Sequence, residues 1–401
     1  MNFELNETQR MYQKMAKQFA EKEVKPLALE FDKKTDPKEA IPIDLYRKGL
    51  SQGFHLMIIP TSYGGSGLNT LTSILILEEF AVADIGFALT WHVNNIALTT
   101  LFNMGSKEQI DQFLKPIIDP DGGIAGLSTT EPDGGVTTAL LIDPEQFVFN
   151  TKAQLQGEEW VINGQKAFAS NIGLPFAKWI MIFCRVSMEK VGWASSLPIL
   201  LFANTPGLIL MGEEDKMGHR LASTQSLILD NVRVPKNHAI GAGGKPISGG
   251  KRMVTYDHDT AVSAIAIGCA RAAFEDALEY AKLRVVLGKP LTQYQIIQSK
   301  LADMFIGIEA ARTFIFRTAI ISDSRAEMDL KLARAVKVFA TETANRVTYE
   351  AVQIFGGSGY CKGTRVEKYF RDQRVTTIYE GTNEALRINL FRLIEATPAI
   401  F

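Results

Sequence analysis

Tyr379-Glu380-Gly381-Thr382, shortly after Gln353-Ile354-Phe355-Gly356-Gly357-Ser358-Gly359-Tyr360, is the stretch on which the reading of this chain turns. A carboxylate set among small, turn-forming residues can approach a substrate carbon, and backbone N–H groups beside it stay available to polarise a carbonyl. That is equipment for removing a carbon-bound proton. A lone acidic residue is more often a surface cap than a base, so the weight falls on what accompanies Glu380.

Working outward, helical patterns flank a β-rich middle. Ile297, Leu301, Met304, Phe305 and Ile308 share one face of a long helix, and the small residues of 261–273 let neighbouring helices approach closely, as a bundle needs. The glycine-rich run 241–250 marks a boundary. Ahead of it, 179–186, 197–202 and 227–234 read as strands, and 160–168 carries the turn dipeptide Asn163-Gly164 at its centre. Before Gly122 the helical style returns. It opens with Asn6 and Gln9, spaced as a capping box, and runs on through Met11, Met15, Phe19 and Val24. Three glycines and a proline in 60–67 demand a tight loop. The expected domains are 1–121, helical; 122–237, β; and 238–401, a helical bundle.

A chain of 401 residues exceeds what one compact core usually supports. With 43 basic against 44 acidic residues the formal net charge is −1, which gives no electrostatic pull toward nucleic acid or an anionic membrane. Cys184, Cys269 and Cys361 are scattered, without metal-ligand or disulfide spacing, and point to a reducing compartment. The five His are equally dispersed, so no metal site is expected. Residues 1–10 lack a secretory or transit plan, and apolar runs such as 179–184 are far short of the roughly 20 residues that span a bilayer. The expectation is a cytoplasmic protein with no membrane insertion.

Six motifs appear in order: Pro60 with Tyr63-Gly64-Gly65 and Gly67; Thr130-Glu131-Pro132; Ile162-Asn163-Gly164-Gln165-Lys166; Asp230-Asn231-Val232-Arg233-Val234-Pro235; Gln353-Ile354-Phe355-Gly356-Gly357; and Tyr379-Glu380-Gly381-Thr382. Together they resemble the acyl-CoA dehydrogenase family over essentially the whole chain. The fold so implied is α+β and multi-domain, with an N-terminal α-helical domain, a middle β-barrel-like domain and a C-terminal four-helix bundle. The activity implied is FAD-dependent α,β-dehydrogenation of an acyl-CoA thioester. Glu380 would be the base, and hydride would pass to flavin N5. Bound acyl chain, by excluding water, would raise the Glu380 pKa.

The resemblance also implies site residues. Leu127, Thr129, Thr130, Phe168, Ser170 and Thr382 match flavin contacts. Arg284, Gln295, Gln353 and Gly357 match contacts made to the flavin dinucleotide of a neighbouring subunit, so a homo-oligomer, a dimer of dimers, is implied. Electron-transfer flavoprotein is the implied acceptor. His92, Val136, Asp259, Tyr379 and Gly381 fall at substrate positions; a polar His92 suits a short, branched, cyclic or functionalised acyl group.

Two departures stand out. Val136 replaces the family's usual Ser, and Tyr256-Asp257-His258-Asp259-Thr260 lacks the family's usual Arg. Asp259 is left open as a second acid/base group, a counter-charge for a polar substrate or a helix-start carboxylate, with His258 similarly open between a structural and a catalytic role. The alternative functions are an enoyl-CoA reductase or oxidase using the same site, or a non-dehydrogenase flavin scaffold of the same fold.

Overall fold

The computed structural model describes residues 4–135, 141–143, 146–241, 254, 256–325 and 329–397. Val136 and most of the glycine-rich run lie outside the described residues. Helix α1 (Glu7–Phe19) begins at the expected capping box: Asn6 Oδ1 accepts from the Gln9 N–H and Gln9 Oε1 from the Asn6 N–H, both at 2.9 Å. Met11 faces solvent, whereas Ala16, Ala20 and Val24 turn inward. After α2 (Lys25–Asp32) and α3 (Ile43–Ser51) come α4 (Thr70–Ala83) and α5 (Ile85–Met104). Both are apolar on nearly every face and accordingly buried almost throughout. Helix α6 (Lys107–Ile118) closes this layer.

Seven strands follow: β1 (Ile124–Ser128), β2 (Lys152–Gln156), β3 (Glu159–Ser170), β4 (Ala177–Arg185), β5 (Ser196–Phe202), β6 (Leu208–Glu213) and β7 (Thr224–Pro235). Their order is β1-β4-β2-β3-β7-β6, with β5 on β4. Strand β1 runs parallel to β4 and also meets β3 antiparallel at Leu127 and Ser170, which closes β1, β4, β2 and β3 into a ring. Asn163-Gly164 is not the turn its composition suggests. Gly164 (φ +152°) is a bulge within continuous β3, where a Cβ would sit 2.6 Å from the Thr151 Cα. The hairpin turn instead falls at Gly157, between paired Gln156 and Glu159.

Beyond residue 254 three long helices form the bundle: α7 (His258–Leu283), α8 (Gln295–Ser324) and α9 (Leu330–Phe355). Arg334 meets Asp259 near the starts of α9 and α7, and Phe355 stacks on Tyr280 near their ends, so the two run parallel. Lys300 pairs with Glu350, which sets α8 antiparallel to them. A hairpin of β8 (Val285–Val286) and β9 (Lys289–Pro290) joins α7 to α8. After the turn α10 (Gly357–Tyr360), α11 (Arg365–Gln373) and α12 (Asn383–Glu395) pack on the bundle. Buried Lys368 of α11 reaches Asp84 at the start of α5, tying the last layer to the first. No helix among the described residues is long and apolar enough to cross a membrane.

Candidate active site

Glu380 sits in a left-handed turn (φ +53°) between α11 and α12, and Gly381 (φ +95°) continues it. A non-glycine residue there carries strain that its surroundings must hold. Lys337 of α9 supplies part of that hold: its buried Nζ donates to the Gly381 carbonyl at 2.8 Å and to Asn383 Oδ1 at 2.9 Å. Thr382 caps α12, its hydroxyl oxygen accepting from the Ala385 N–H.

The Glu380 carboxylate lies between two imidazoles. His92 Nε2 is 2.8 Å from Oε1, and His258 Nδ1 is 3.3 Å from Oε2. A carboxylate only accepts, so both nitrogens carry hydrogen. Behind His92, the Tyr256 hydroxyl meets Nδ1 at 2.6 Å. Behind His258, Nδ1 is also 3.3 Å from Asp259 Oδ1, and Asp259 Oδ2 pairs with Arg334. Burial pushes the Glu380 carboxyl up, but His92 and His258 outweigh it and bring the pKa down to about 2. Burial pushes His258 down, but Asp259 and Glu380 lift it to about 10. The rise expected of Glu380 belongs to the complex with a bound acyl chain; in the protein itself the two imidazoles stabilise the anion.

Asp259 is the buried partner of Arg334. Asp257, not Asp259, caps α7, its Oδ1 accepting from the Thr260 N–H at 3.2 Å. Asp259 is fully buried and, although burial opposes ionisation, Arg334 and His258 hold it well below the usual carboxylate range. The guanidinium that faces Asp259 comes from α9. Oxygens and nitrogen of His258, Asp259 and Glu380 lie within 4.8 Å of one another, a spacing that a cation could use. Arg334 and Lys337 already bring positive charge to it.

Tyr379 packs with Leu89, Val93, Ala222 and Leu127 in a small cluster apart from the main core, and its buried hydroxyl has no partner. Its ring meets His219 edge-on at 5.7 Å. Through Leu127 this cluster joins the Glu380 turn to the β1–β3 junction. There Leu127 pairs with Ser170, and the Thr130 carbonyl accepts from the Ala167 N–H at 2.9 Å. Phe168 projects at φ +56° with 63% of its surface exposed. Between Leu127 and Thr129, the buried Ser128 hydroxyl has no partner.

Arg284, Gln295, Gln353 and Gly357 are exposed together at the opposite end of the bundle. Asp259 and Leu283 are separated by about 36 Å of α7, at 1.5 Å per residue. These four residues therefore do not join the site around this chain's own Glu380. Around them, Leu287 is 92% and Tyr360 86% exposed.

Sequence reasoning missed Tyr256, Arg334 and Lys337. The signal for the last two was their three-residue spacing, which puts two cations on the inward face of α9 within the small and apolar run 332–340.

The family descriptions "Acyl-CoA dehydrogenase, N-terminal domain" and "Acyl-CoA dehydrogenase, C-terminal domain" match residues 6–121 and 259–394. The chain is 33% identical to the short-chain specific acyl-CoA dehydrogenase, mitochondrial, of Homo sapiens over 96% of its own length and 89% of that protein. It is similar to the solved structure of butyryl-CoA dehydrogenase from Megasphaera elsdenii, at TM-score 0.87 and 32% identity, covering 98% of this chain and all of that one. A chain in the structure described as "Electron transferring flavoprotein of Acidaminococcus fermentans" gives the same TM-score and identity over 99% of this chain and 100% of its own. The chain belongs to the acyl-CoA dehydrogenase family, FAD-dependent oxidoreductases acting on CH–CH groups.

The β1–β3 junction fits such a cofactor. It offers an apolar ring face at Phe168, half-buried Thr129, Thr130 and Ser170, and an orphaned Ser128 hydroxyl, which suits a planar ring system with polar edges.

Proposed function

We propose that the chain dehydrogenates a short-chain acyl-CoA thioester between Cα and Cβ, with Glu380 as the base. The observation that carries this reading is that Tyr379 of the Glu380 turn and Leu127 of the candidate flavin strand pack against the same apolar cluster of Leu89, Val93 and Ala222. FAD, when bound, supplies the acceptor for the Cβ hydride. Leu127, Thr129, Thr130, Phe168 and Ser170 would hold its ring system. Glu380 takes the Cα proton, and its backbone N–H, turned by the left-handed conformation, polarises the thioester oxygen. Tyr379 with Leu89 and Val93 walls the acyl pocket and excludes water; His92 closes its floor.

Arg284, Gln295, Gln353 and Gly357 serve the dinucleotide of a neighbouring copy. Their distance from Glu380 and the exposed Leu287 and Tyr360 beside them support a homo-oligomer, a dimer of dimers by resemblance. Electron-transfer flavoprotein is the proposed acceptor, in keeping with the related Acidaminococcus structure. The cytoplasm is the proposed setting.

The test is anaerobic mixing of the flavin-loaded protein with thioesters of increasing chain length, butyryl-CoA among them. Bleaching of the flavin by a saturated short-chain thioester supports the assignment. Bleaching by none of them, with flavin bound, overturns it. Reoxidation by an enoyl-CoA or by oxygen faster than by electron-transfer flavoprotein would instead identify a reductase or an oxidase.

A further inference from the structure

Among Glu380, His92, His258 and Asp259, solvent access is unequal. The side chains of His92 and Asp259 are wholly buried and that of Glu380 is 18% exposed, whereas that of His258 is 34% exposed. His258 Nδ1 lies 3.3 Å from both Glu380 Oε2 and Asp259 Oδ1. Asp259 is held in turn by Arg334. The charged and titratable groups around His258 are thus Glu380 from the turn, Asp257 and Asp259 from the start of α7, Arg334 and Lys337 from α9, and Tyr256 and His92 on the far side of Glu380.

We propose that His258 is a positioning residue that exchanges charge with solvent on behalf of Glu380, releasing a proton to water as Glu380 takes one from the substrate. The inference rests on the dehydrogenation proposed above. The Cα–H bond breaks and an O–H bond forms at Glu380. The electron pair left on Cα becomes the new double bond as the Cβ hydride passes to FAD. Meanwhile the His258 Nε2–H bond breaks, and that proton goes to water or buffer. The pair passes from carboxylate and imidazolium to carboxylic acid and imidazole, so its net charge does not change.

The physical reason is the geometry. Once Glu380 is neutral, the only carboxylate still in contact with the imidazolium is Asp259, whose charge is already committed to Arg334, so its hold on the proton weakens. Without the release, a neutral acid would leave an uncompensated cation in a part-buried site. His92 cannot serve, because Tyr256 and Glu380 occupy both its nitrogens and it has no solvent contact.

The experiment is anaerobic single-turnover bleaching of the flavin-loaded protein by butyryl-CoA in weak buffer with a pH indicator, near neutral pH. Wild type is expected to release about one proton per flavin bleached. His258→Gln is expected to bleach without that release, and its rate to fall on the acid side where wild type stays flat, because Glu380 has lost a cation. Bleaching by wild type with no proton release, or equal release and an unchanged pH profile in the variant, overturns the proposal.

Should His258→Gln not fold, an NMR titration of the resting wild type and of Glu380→Gln decides it. His258 losing its proton at markedly lower pH in Glu380→Gln supports the coupling, and an unchanged titration refutes it. Absence of bleaching by any thioester counts against the proposed reaction, whereas this titration reports on the pair alone.

Discussion

His92 Nε2 donates to Glu380 Oε1 across 2.8 Å, joining the middle of α5 to the turn before α12 over 288 residues of sequence. Helix α5 and the Glu380 turn are thereby a single hydrogen-bonded unit, and His258 completes it from the other side. The carboxylate is held ionised and aimed before any substrate arrives, which is preorganisation by two imidazole N–H donors.

Glu380→Gln keeps nearly the same volume and leaves the β1–β3 junction untouched. It should bind flavin normally yet lose thioester-driven bleaching by about 10²–10⁴-fold, the usual contribution of a general base. Absorbance of the purified variant checks the first outcome and anaerobic stopped-flow the second. Near-normal bleaching would move the base elsewhere, with Asp259 the first residue to test.

The Glu380 and His258 pair should also mark the pH dependence of stability. Glu380 is depressed from 4.5 to about 2, so its contribution is present above pH 4.5 and lost as pH falls through about 2. His258 is raised from 6.5 to about 10, so its contribution is complete below pH 6.5 and lost as pH rises through about 10. The gap in Tm between wild type and His258→Gln should therefore be widest between pH 4.5 and 6.5 and shrink toward pH 10. A gap that stays constant from pH 6.5 up to pH 10 would refute the assignment.

Asp259 is fully buried against Arg334, so removing one partner strands the other. Arg334→Met and Asp259→Asn should each cost about 3–5 kcal/mol, and the double variant should cost clearly less than their sum. Denaturant unfolding of the four proteins measures this. Additive losses would mean that the two side chains act independently.

The resemblance and the element pattern were legible because both rest on local signals: the capping box at Asn6 and Gln9, the strand around 179–186, and the turn at Glu380. Gly164 was misread because its dipeptide has turn chemistry, while a long-range fact, the close approach of Thr151, makes it a bulge. The ion pair between α7 and α9 was invisible for a similar reason. In sequence, 256–260 lacks an Arg; only the parallel packing of α7 and α9 shows that Arg334 stands beside Asp259. The hold of Lys337 on the Gly381 carbonyl likewise depends on a side chain 44 residues away.

Phe168 separates cofactor binding from folding. Its ring is 63% exposed and its backbone is left-handed, so it gains little from the protein itself. Phe168→Ala should change the stability of the flavin-free protein by no more than about 0.5 kcal/mol, as surface substitutions usually do. If the ring lies against the flavin, the same substitution uncovers apolar cofactor surface, and affinity for FAD should fall by roughly 10-fold or more, the value of an aromatic contact of about 1.5 kcal/mol. Thermal unfolding of the apoprotein and a flavin titration read the two effects separately. Loss of stability with unchanged flavin affinity would place Phe168 in the fold rather than in the site.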